Sequence, residues 1–130
     1  MAQQRVAISA PGAPPAIGPY RHAVRWGELL FCSGQIPLDA AGGELVGDTS
    51  AEQAERCLEN LAAVCDAAGT SLAHALRVTI YMTDLSSFAD VNEAYGAFFG
   101  GEDPPARVTV GVADLPKGAQ VEIDAIVAIA

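Results

Sequence analysis

The sequence predicts an α+β fold, in which two helices cover one face of a single sheet. Two observations carry this prediction. Apolar residues recur at helical spacing in two segments, and apolar and polar residues alternate with period two in several others. These segments follow one another in the order β-β-β-α-β-α-β-β. The chain has 130 residues, of which 51% are hydrophobic, so one domain spanning residues 1–130 can bury a substantial core.

The first half of the chain contains three strand candidates and one helix. Ser50 followed three residues later by Gln53 matches a capping box, and Gly69 suits the position just after a helix end. A segment rich in Pro, Ala and Gly separates the first strand from the second and predicts an ordered loop. The strand candidates are 5–9, 22–26 and 29–33, and the loop is 10–19. The apolar stripe of the helix is Ala54, Cys57, Leu58, Leu61, Cys65 and Ala68.

The second half begins with a strand over 76–83 and a second helix that starts after Ser86 or Ser87. In the strand, Leu76, Val78, Ile80 and Met82 alternate with polar residues and are expected to face the core. In the helix, the apolar positions recur every three or four residues, which indicates one buried stripe. The residues expected in that stripe are Phe88, Val91, Tyr95 and Phe98 or Phe99.

Two further strands near the C-terminus each carry one charged residue of interest. If Val108, Val110, Val112 and the apolar residues of 121–129 face the core, the alternating polar residues all share the opposite face. Turn-forming residues between the strands predict that the two are hairpin partners. The polar residues placed together in this way are Arg107, Thr109, Glu122 and Asp124.

An arginine and a carboxylate on a rigid sheet could grip a small carboxylate and move a proton beside it. The simplest alternative is a cross-strand pair on a wetted surface, worth about 0.2–1 kcal/mol. The spacing of Arg107 and Glu122 alone favours the surface pair over a binding site. An oligomer follows as a hypothesis from the same face, since it is neither fully polar nor fully apolar and lies opposite the helices.

Composition excludes several classes of protein. The net charge of −9, with only seven Lys and Arg, disfavours a nucleic-acid partner. Three cysteines without Cys-x-x-Cys spacing argue against a disulfide framework or a zinc site and favour buried thiols, at Cys32, Cys57 and Cys65. No apolar run reaches membrane-spanning length, and the N-terminus lacks a signal-peptide pattern. We therefore expect a cytoplasmic protein with no membrane partner.

Motifs for common cofactors and nucleophiles are absent from the sequence. There is no glycine-rich nucleotide fingerprint, no Walker loop, no nucleophile elbow and no His-Glu-x-x-His. His22 and His74 offer no ligand spacing, and Ser33 has no nearby base in the sequence. We expect neither a metal nor an organic cofactor.

Six segments, in order along nearly the whole chain, resemble the RidA (YjgF) family of small imine and enamine deaminases. The segments are AIGPY at 16–20, SGQIP at 33–37, FADVNEAY at 88–95, PAR at 105–107, LPKG at 115–118 and VEI at 121–123. The resemblance implies a chorismate-mutase-like α+β protomer with one mixed, mostly antiparallel sheet and two helices on one face. It also implies a homotrimer with three ligand clefts between subunits and a reaction without a cofactor. In that reaction, 2-aminoacrylate or related enamines tautomerise to imines and are hydrolysed to 2-oxo acids and ammonia.

The resemblance assigns catalytic roles to Arg107 and Glu122. Arg107 would bind the substrate carboxylate bidentately, which a planar guanidinium does better than lysine. Glu122 would position or activate the water that attacks the imine carbon. Thr109 would offer its backbone or hydroxyl to the substrate.

The remaining family positions carry more modest expectations. Tyr20, Ser33 and Asn92 would line the cleft, and the Gly34 amide could approach substrate closely because no Cβ intervenes. Each also has a structural interpretation: Tyr20 as the anchor of a Gly-Pro turn, Ser33 as a strand end and Asn92 as an exposed helix residue. Tyr95 falls on the apolar stripe and is expected in the core.

Three positions depart from the common family pattern and bear on substrate preference. They are Arg21-His22, Val108-Thr109 and Asp124, where members often carry other residues. His22 near the cleft could admit a different or larger substrate.

Other functions compete with a general deaminase. A non-catalytic sensor of 2-oxo acids could use the same Arg107, although Glu122 would then oppose an anionic ligand. A specialised aminoacrylate or aminomuconate deaminase is a further alternative. Ribonuclease activity, attributed to some family members, is disfavoured by the net charge of −9 and ranks last.

Overall fold

A computed structural model describes residues 4–101 and 103–130 and confirms the predicted order of elements. Residues 1–3 and Glu102, which belong to the predicted domain, lie outside the described part. The strands are β1 (Arg5–Ile8), β2 (Ala23–Trp26), β3 (Leu29–Gln35), β4 (Ala75–Met82), β5 (Ala106–Gly111) and β6 (Val121–Ala128). The helices are α1 (Ser50–Ala67) and α2 (Phe88–Phe98), and short 3₁₀ turns cover Leu72–His74, Leu85–Ser87 and Pro116–Gly118.

The six described strands form one mixed sheet in the order β1-β2-β3-β6-β4-β5. All neighbours run antiparallel except β4 and β5, which are parallel. Both helices pack on one face, where the core-facing residues of the central strands meet the apolar stripe of α1. Fully buried side chains at this junction include Leu30, Leu58, Leu61, Ile80, Met82, Ile123 and Val127. The opposite sheet face, called the open face below, is not covered by either helix of the described residues.

Helix α1 ends as predicted but begins one residue earlier. Thr49 is the N-cap: its hydroxyl accepts from the Glu52 amide, and the Glu52 carboxylate accepts from the Thr49 amide. The predicted Ser50–Gln53 box is wrong, because the Ser50 hydroxyl instead donates to Gln120 Oε1. Both pairs satisfy the sequence rule, and only the contact with Gln120, the residue before β6, distinguishes them. Gly69, with φ of 80°, follows the C-cap as expected.

The predicted hairpin of the last two strands is wrong. β6 lies between β3 and β4, whereas β5 pairs only with β4, at the sheet edge. Helix α2 connects β4 to β5 as a crossover, and a crossover brings strands together in parallel. β6 takes a central place because its four core-facing residues are all buried: Val121, Ile123, Ala125 and Val127.

This topology also overturns the predicted orientation of β5. The register pairs Val78 with Arg107 and Ile80 with Thr109, and Val78 and Ile80 are core residues. Paired residues on adjacent strands share a face, so Arg107 and Thr109 face the helices. The apolar residues expected in the core, Val108 and Val110, lie on the open face and are exposed.

Glu122 lies on the other side of the sheet. It pairs with Tyr81, and Asp124 pairs with Thr79, all on the open face. Arg107 and Glu122 therefore lie on opposite faces of the sheet, with β4 between their strands. The predicted sharing of one face by Arg107, Thr109, Glu122 and Asp124 is wrong, because β5 is inverted relative to the assumed pattern.

One aromatic residue of α2 and one leucine of β4 depart from the predicted core. Phe88 is 40% exposed, whereas Val91 and Tyr95 are buried. Of the two alternatives Phe98 and Phe99, Phe99 packs against the core. Leu76 is 49% exposed because the β4–β6 register shifts between Ala75 and Arg77. The alternation that begins at Val78 follows the prediction.

The open face carries a discontinuous apolar surface. Its exposed large side chains are Trp26, Leu29, Phe31, Val108 and Val110. Carboxylates and hydroxyls of β4 and β6 lie among them, as expected of a mixed face. Neither helix of the described residues combines the length and the apolar character that crossing a membrane requires.

Candidate active site

Arg107 is held by one face of helix α2. Its guanidinium carbon lies 4.9 Å from the ring centroid of Tyr95 and 5.6 Å from that of Phe88. Its Nη1 donates to Asn92 Oδ1 over 2.6 Å. Phe88, Asn92 and Tyr95 are spaced four and three residues apart, which places them on one side of the helix. Two aromatic faces and one amide thus orient the fork of Arg107.

The fork keeps donors available for a ligand. Among residues 4–101 and 103–130, no carboxylate forms an ion pair with Arg107; the pair found there is Arg56–Glu59. A planar guanidinium held on one side and unpaired on another is suited to bidentate recognition of a carboxylate. Asn92 is exposed, as its structural interpretation expected, yet it also orients Arg107.

Two hydroxyls beside Arg107 lack hydrogen-bond partners in the described part of the chain. They are Thr109 Oγ1 and Tyr95 Oη, and both atoms are buried. An unsatisfied buried hydroxyl costs about 1–3 kcal/mol, so each calls for a partner. Burial raises the pKa of Tyr95, against a smaller lowering by the Arg107 charge, so this phenol stays protonated. Tyr95 is in the core as predicted, but its contact with Arg107 was missed by sequence reasoning.

Glu122 lies against Gly34 of the neighbouring strand. A Cβ added at Gly34 would come within 2.9 Å of Glu122 Cδ, and closer still to Oε2. The β3–β6 register shifts between Cys32 and Gln35, which is where Gly34 lies. The absence of a side chain at Gly34 therefore makes room for the Glu122 carboxylate.

The surroundings of Glu122 in the folded chain favour the protonated carboxyl more than bulk water would. Burial raises the pKa of the Glu122 carboxyl, and the charge of Asp124 raises it further. Asp124 itself accepts from the Tyr81 hydroxyl over 2.9 Å. A carboxylate with a raised pKa is a stronger base than an ordinary one, which suits proton abstraction from water.

Tyr20 lines a small cavity with Gly34, and Ser33, the residue before Gly34, is hydrogen-bonded to the chain next to Tyr20. The Tyr20 hydroxyl accepts from the Ile17 amide over 3.2 Å, so it anchors the Gly-Pro turn and still has its own proton to donate. Ser33 Oγ donates to the Arg21 carbonyl over 2.6 Å. A small cavity of about 20 Å³ is lined by Tyr20, Gly34 and neighbouring loop residues.

The predicted site residues thus separate into two groups within one protomer. We call Asn92, Arg107 and Thr109 the arginine half-site, and Tyr20, Ser33, Gly34 and Glu122 the glutamate half-site. They lie on opposite faces, on strands roughly 10 Å apart because β4 intervenes. Sequence reasoning missed the contacts of Phe88 and Tyr95 with Arg107. The signal that could have indicated them is the helical spacing of both residues around Asn92.

None of the three cysteines belongs to either half-site. In the described ranges, no group of three or more His, Cys, Asp or Glu side chains is arranged to hold a metal ion. All three cysteines are buried free thiols, as predicted. Burial strongly raises the pKa of Cys57, so this thiol stays protonated.

Comparisons with known proteins agree with this fold over nearly the full chain. Residues 10–129 match the family described as Endoribonuclease L-PSP. The chain is 54% identical to Protein DfrA of Myxococcus xanthus over 124 residues, 94% of each chain. It is 44% identical to the 2-iminobutanoate/2-iminopropanoate deaminase of Salmonella typhimurium over 121 residues, covering 92% of this chain and 94% of that one.

A comparison with solved structures also finds a protein of similar fold. The fold is similar to the crystal structure of RidA from the Antarctic bacterium Psychrobacter, with a TM-score of 0.90 and 42% identity. The match covers 95% of this chain and 99% of the other.

Proposed function

Since this chain belongs to the Endoribonuclease L-PSP family, to which the YjgF and RidA proteins belong, we propose that it is a cofactor-free deaminase. Its substrates would be 2-aminoacrylate-type enamines and imines, and its products 2-oxo acids and ammonia. The observation that carries the proposal is the pair of half-sites: an oriented guanidinium with no ion-pair partner among residues 4–101 and 103–130, and a carboxyl whose pKa is raised. Relatives named as imine deaminases at 41–44% identity support the same reaction class.

We further propose that each working site combines half-sites from two protomers. One protomer holds Arg107 and Glu122 on opposite faces of its sheet, so it cannot bring both to one small substrate. β5 is an edge strand, and a neighbouring protomer can therefore place its glutamate half-site beside Arg107. A closed ring of three uses this one contact three times and also covers exposed residues of the open face, among them Phe31, Val108 and Val110.

In this site, Arg107 binds the substrate carboxylate and Glu122 handles the proton. Glu122 removes a proton from water as the water oxygen bonds to the imine carbon, and the C=N electron pair moves to nitrogen. The nitrogen takes up protons and leaves as ammonia when the C–N bond breaks, and the remaining hydroxyl loses its proton to become the 2-oxo group. Imine and water thus give 2-oxo acid and ammonia, with no redox change.

The other polar groups orient these reactants. Asn92 holds one side of the Arg107 fork, and the unpartnered Thr109 hydroxyl faces the same side of the sheet. The Tyr20 hydroxyl can donate its proton, while Ser33 ties the strand end to the loop. Such placement matters because a carboxylate and a water must meet in a narrow range of geometry.

The proposal is tested by 2-oxo acid release from freshly generated 2-aminoacrylate. A dehydratase acting on serine or threonine supplies the intermediate, and wild type is compared with Arg107→Ala, Glu122→Gln and no protein. We expect wild type to accelerate hydrolysis. Arg107→Ala should lose about 10²- to 10³-fold in kcat/KM, as for removal of one partner from a desolvated ion pair. Glu122→Gln should lose about 10²- to 10⁴-fold in kcat.

The second candidate, a 2-oxo acid sensor, is favoured only by the arginine half-site. Isothermal titration with 2-oxobutanoate separates the two functions. A deaminase should show turnover that Glu122→Gln abolishes while binding is kept or tightened, because a negative charge is removed. Binding by wild type without acceleration of hydrolysis would reject the deaminase on these substrates in favour of a sensor or of a specialised deaminase for another enamine.

A further inference from the structure

Both ring nitrogens of His22 are hydrogen-bonded to the backbone of the loop 10–19. The Ala10 amide donates to Nδ1 over 2.8 Å, and Nε2 lies 2.7 Å from the Pro14 carbonyl oxygen. An amide can only donate and a carbonyl can only accept. The imidazole is therefore neutral, with its proton on Nε2.

The main chain around His22 is tied to the glutamate half-site. The Ser33 amide donates to the His22 carbonyl over 2.9 Å, and Ser33 Oγ donates to the carbonyl of Arg21 over 2.6 Å. Ser33 precedes Gly34, the residue against which Glu122 lies. His22 thus joins the loop to the strand that makes room for the base.

The loop has few means of holding itself in place. It contains four prolines, and a proline has no N–H to donate. Among the backbone bonds of the described residues are those from the Ala13 amide to the Ala10 carbonyl and from the Tyr20 amide to the Gly18 carbonyl. The segment between these bonds contains Pro14, which His22 binds, and Ile17, which donates to the Tyr20 hydroxyl.

We propose that His22 is a positioning residue for the glutamate half-site: it holds the loop 10–19 at Ala10 and Pro14 and so sets the place of Tyr20, which lines a small cavity together with Gly34. Its effect on turnover rests on the proposed function, whereas its effect on the loop does not. The sequence suggested His22 as a determinant of substrate size. The structure directs its ring to the loop backbone instead, so its influence on substrate is exerted through Tyr20.

The first test measures amide hydrogen exchange in the loop and needs no substrate. His22→Phe keeps a ring of similar size and loses both hydrogen bonds, and His22→Gln retains one donor and one acceptor. His74→Phe is the matched control, because His74 is exposed and its ring contacts Thr70 instead. We expect faster exchange in peptides covering 10–20 for His22→Phe, partial protection for His22→Gln and no change for His74→Phe. Unchanged exchange in folded His22→Phe would overturn the proposal.

The second test is a double-mutant cycle with Tyr20→Phe, read as kcat and KM on 2-aminoacrylate. If His22 acts through Tyr20, each single variant should lose about tenfold or more in kcat/KM, and the double variant should lose little beyond either one. His22→Gln should recover most of the loss. A merely structural role would lower the melting temperature without this coupling, so additive losses would reject the proposal.

The two readouts separate failure of this inference from failure of the proposed function. If wild type hydrolyses no enamine, the deaminase proposal fails, and the exchange data alone decide whether His22 holds the loop. If wild type is active and His22→Phe loosens the loop without loss of kcat/KM, the positioning role is rejected while the deaminase stands.

Discussion

The two half-sites differ in how the chain holds a charged group. Arg107 is oriented by side chains, since two aromatic rings and an amide on one helix face surround its guanidinium. Glu122 is oriented by the backbone, since a glycine and a strand irregularity make room for its carboxyl. From this contrast we expect the arginine half-site to be less sensitive to loss of any one contact than the glutamate half-site is to a Cβ added at Gly34.

The difference also extends to charge. The Arg107 guanidinium lies over the rings of Phe88 and Tyr95, whose π faces attract a cation. Glu122 is partly desolvated beside the like charge of Asp124, so its neighbours disfavour the charged form. The arginine half-site is therefore suited to binding an anion and the glutamate half-site to accepting a proton. The proposed imine hydrolysis requires both.

The largest expected effect is the recovery of activity in mixed oligomers, which tests directly whether the two half-sites of one active site come from different protomers. Arg107→Ala and Glu122→Gln, inactive alone, are co-expressed in equal amounts, and the whole mixture is assayed without separating its species. If a site takes Arg107 from one protomer and Glu122 from the next, random mixing should restore about one quarter of wild-type sites. Measured 2-oxo acid release at the level of the parent variants would show that the two half-sites are not shared in this way.

A matched control uses wild type co-expressed with the double variant Arg107→Ala/Glu122→Gln. Shared sites predict about one quarter of full activity, whereas sites contained in one protomer predict about one half. The two mixtures together separate the models when the chains assemble at random.

Gly34→Ala should produce the next largest effect and tests the dependence on one missing Cβ. The added carbon would displace the Glu122 carboxyl, a flexible group, so turnover should fall by about 10²-fold while the fold is kept. Gly96→Ala on α2 is the control, because nothing lies within 4 Å of its Cβ position. It should keep turnover and stabilise the helix by about 0.5–1 kcal/mol in a thermal or denaturant melt. Wild-type kinetics in Gly34→Ala would show that this close approach plays no part in catalysis.

Asp124→Asn should produce the smallest effect. It tests whether the charge of Asp124 helps to raise the pKa of Glu122. Glu122 works as a base only when deprotonated, so activity falls as pH drops through its raised pKa. Removing the Asp124 charge lowers that pKa, although burial still raises it, and the acidic limb of kcat/KM should move to lower pH. The asparagine oxygen can still accept from Tyr81. Asp66→Asn, an exposed site on α1, should leave the pH profile unchanged, and a limb that stays in place in Asp124→Asn would assign it to another group.

Most of the fold could be predicted because its elements obey local rules. The stripe of α1, the Gly69 stop and the alternation from Val78 to Met82 each depend on residues close in sequence. Thr49 and Ser50 satisfied the same capping rule, and only a contact with distant Gln120 decided between them. The sequence-based prediction fails where two local patterns satisfy the same rule equally well, so that a contact distant in sequence decides between them.

The sequence by itself determined the α+β order, the family pattern and the identity of the two charged groups, because these follow from periodicity and motif. Only the tertiary structure decided which face of the sheet each charged group occupies. Alternation with period two has two solutions for an edge strand, and the parallel crossover through α2 selects the one that turns Arg107 toward the helices. The same choice leaves Val108 and Val110 on the open face. The separation of Arg107 from Glu122 is thus a property of strand pairing, which nothing near either residue in the sequence encodes.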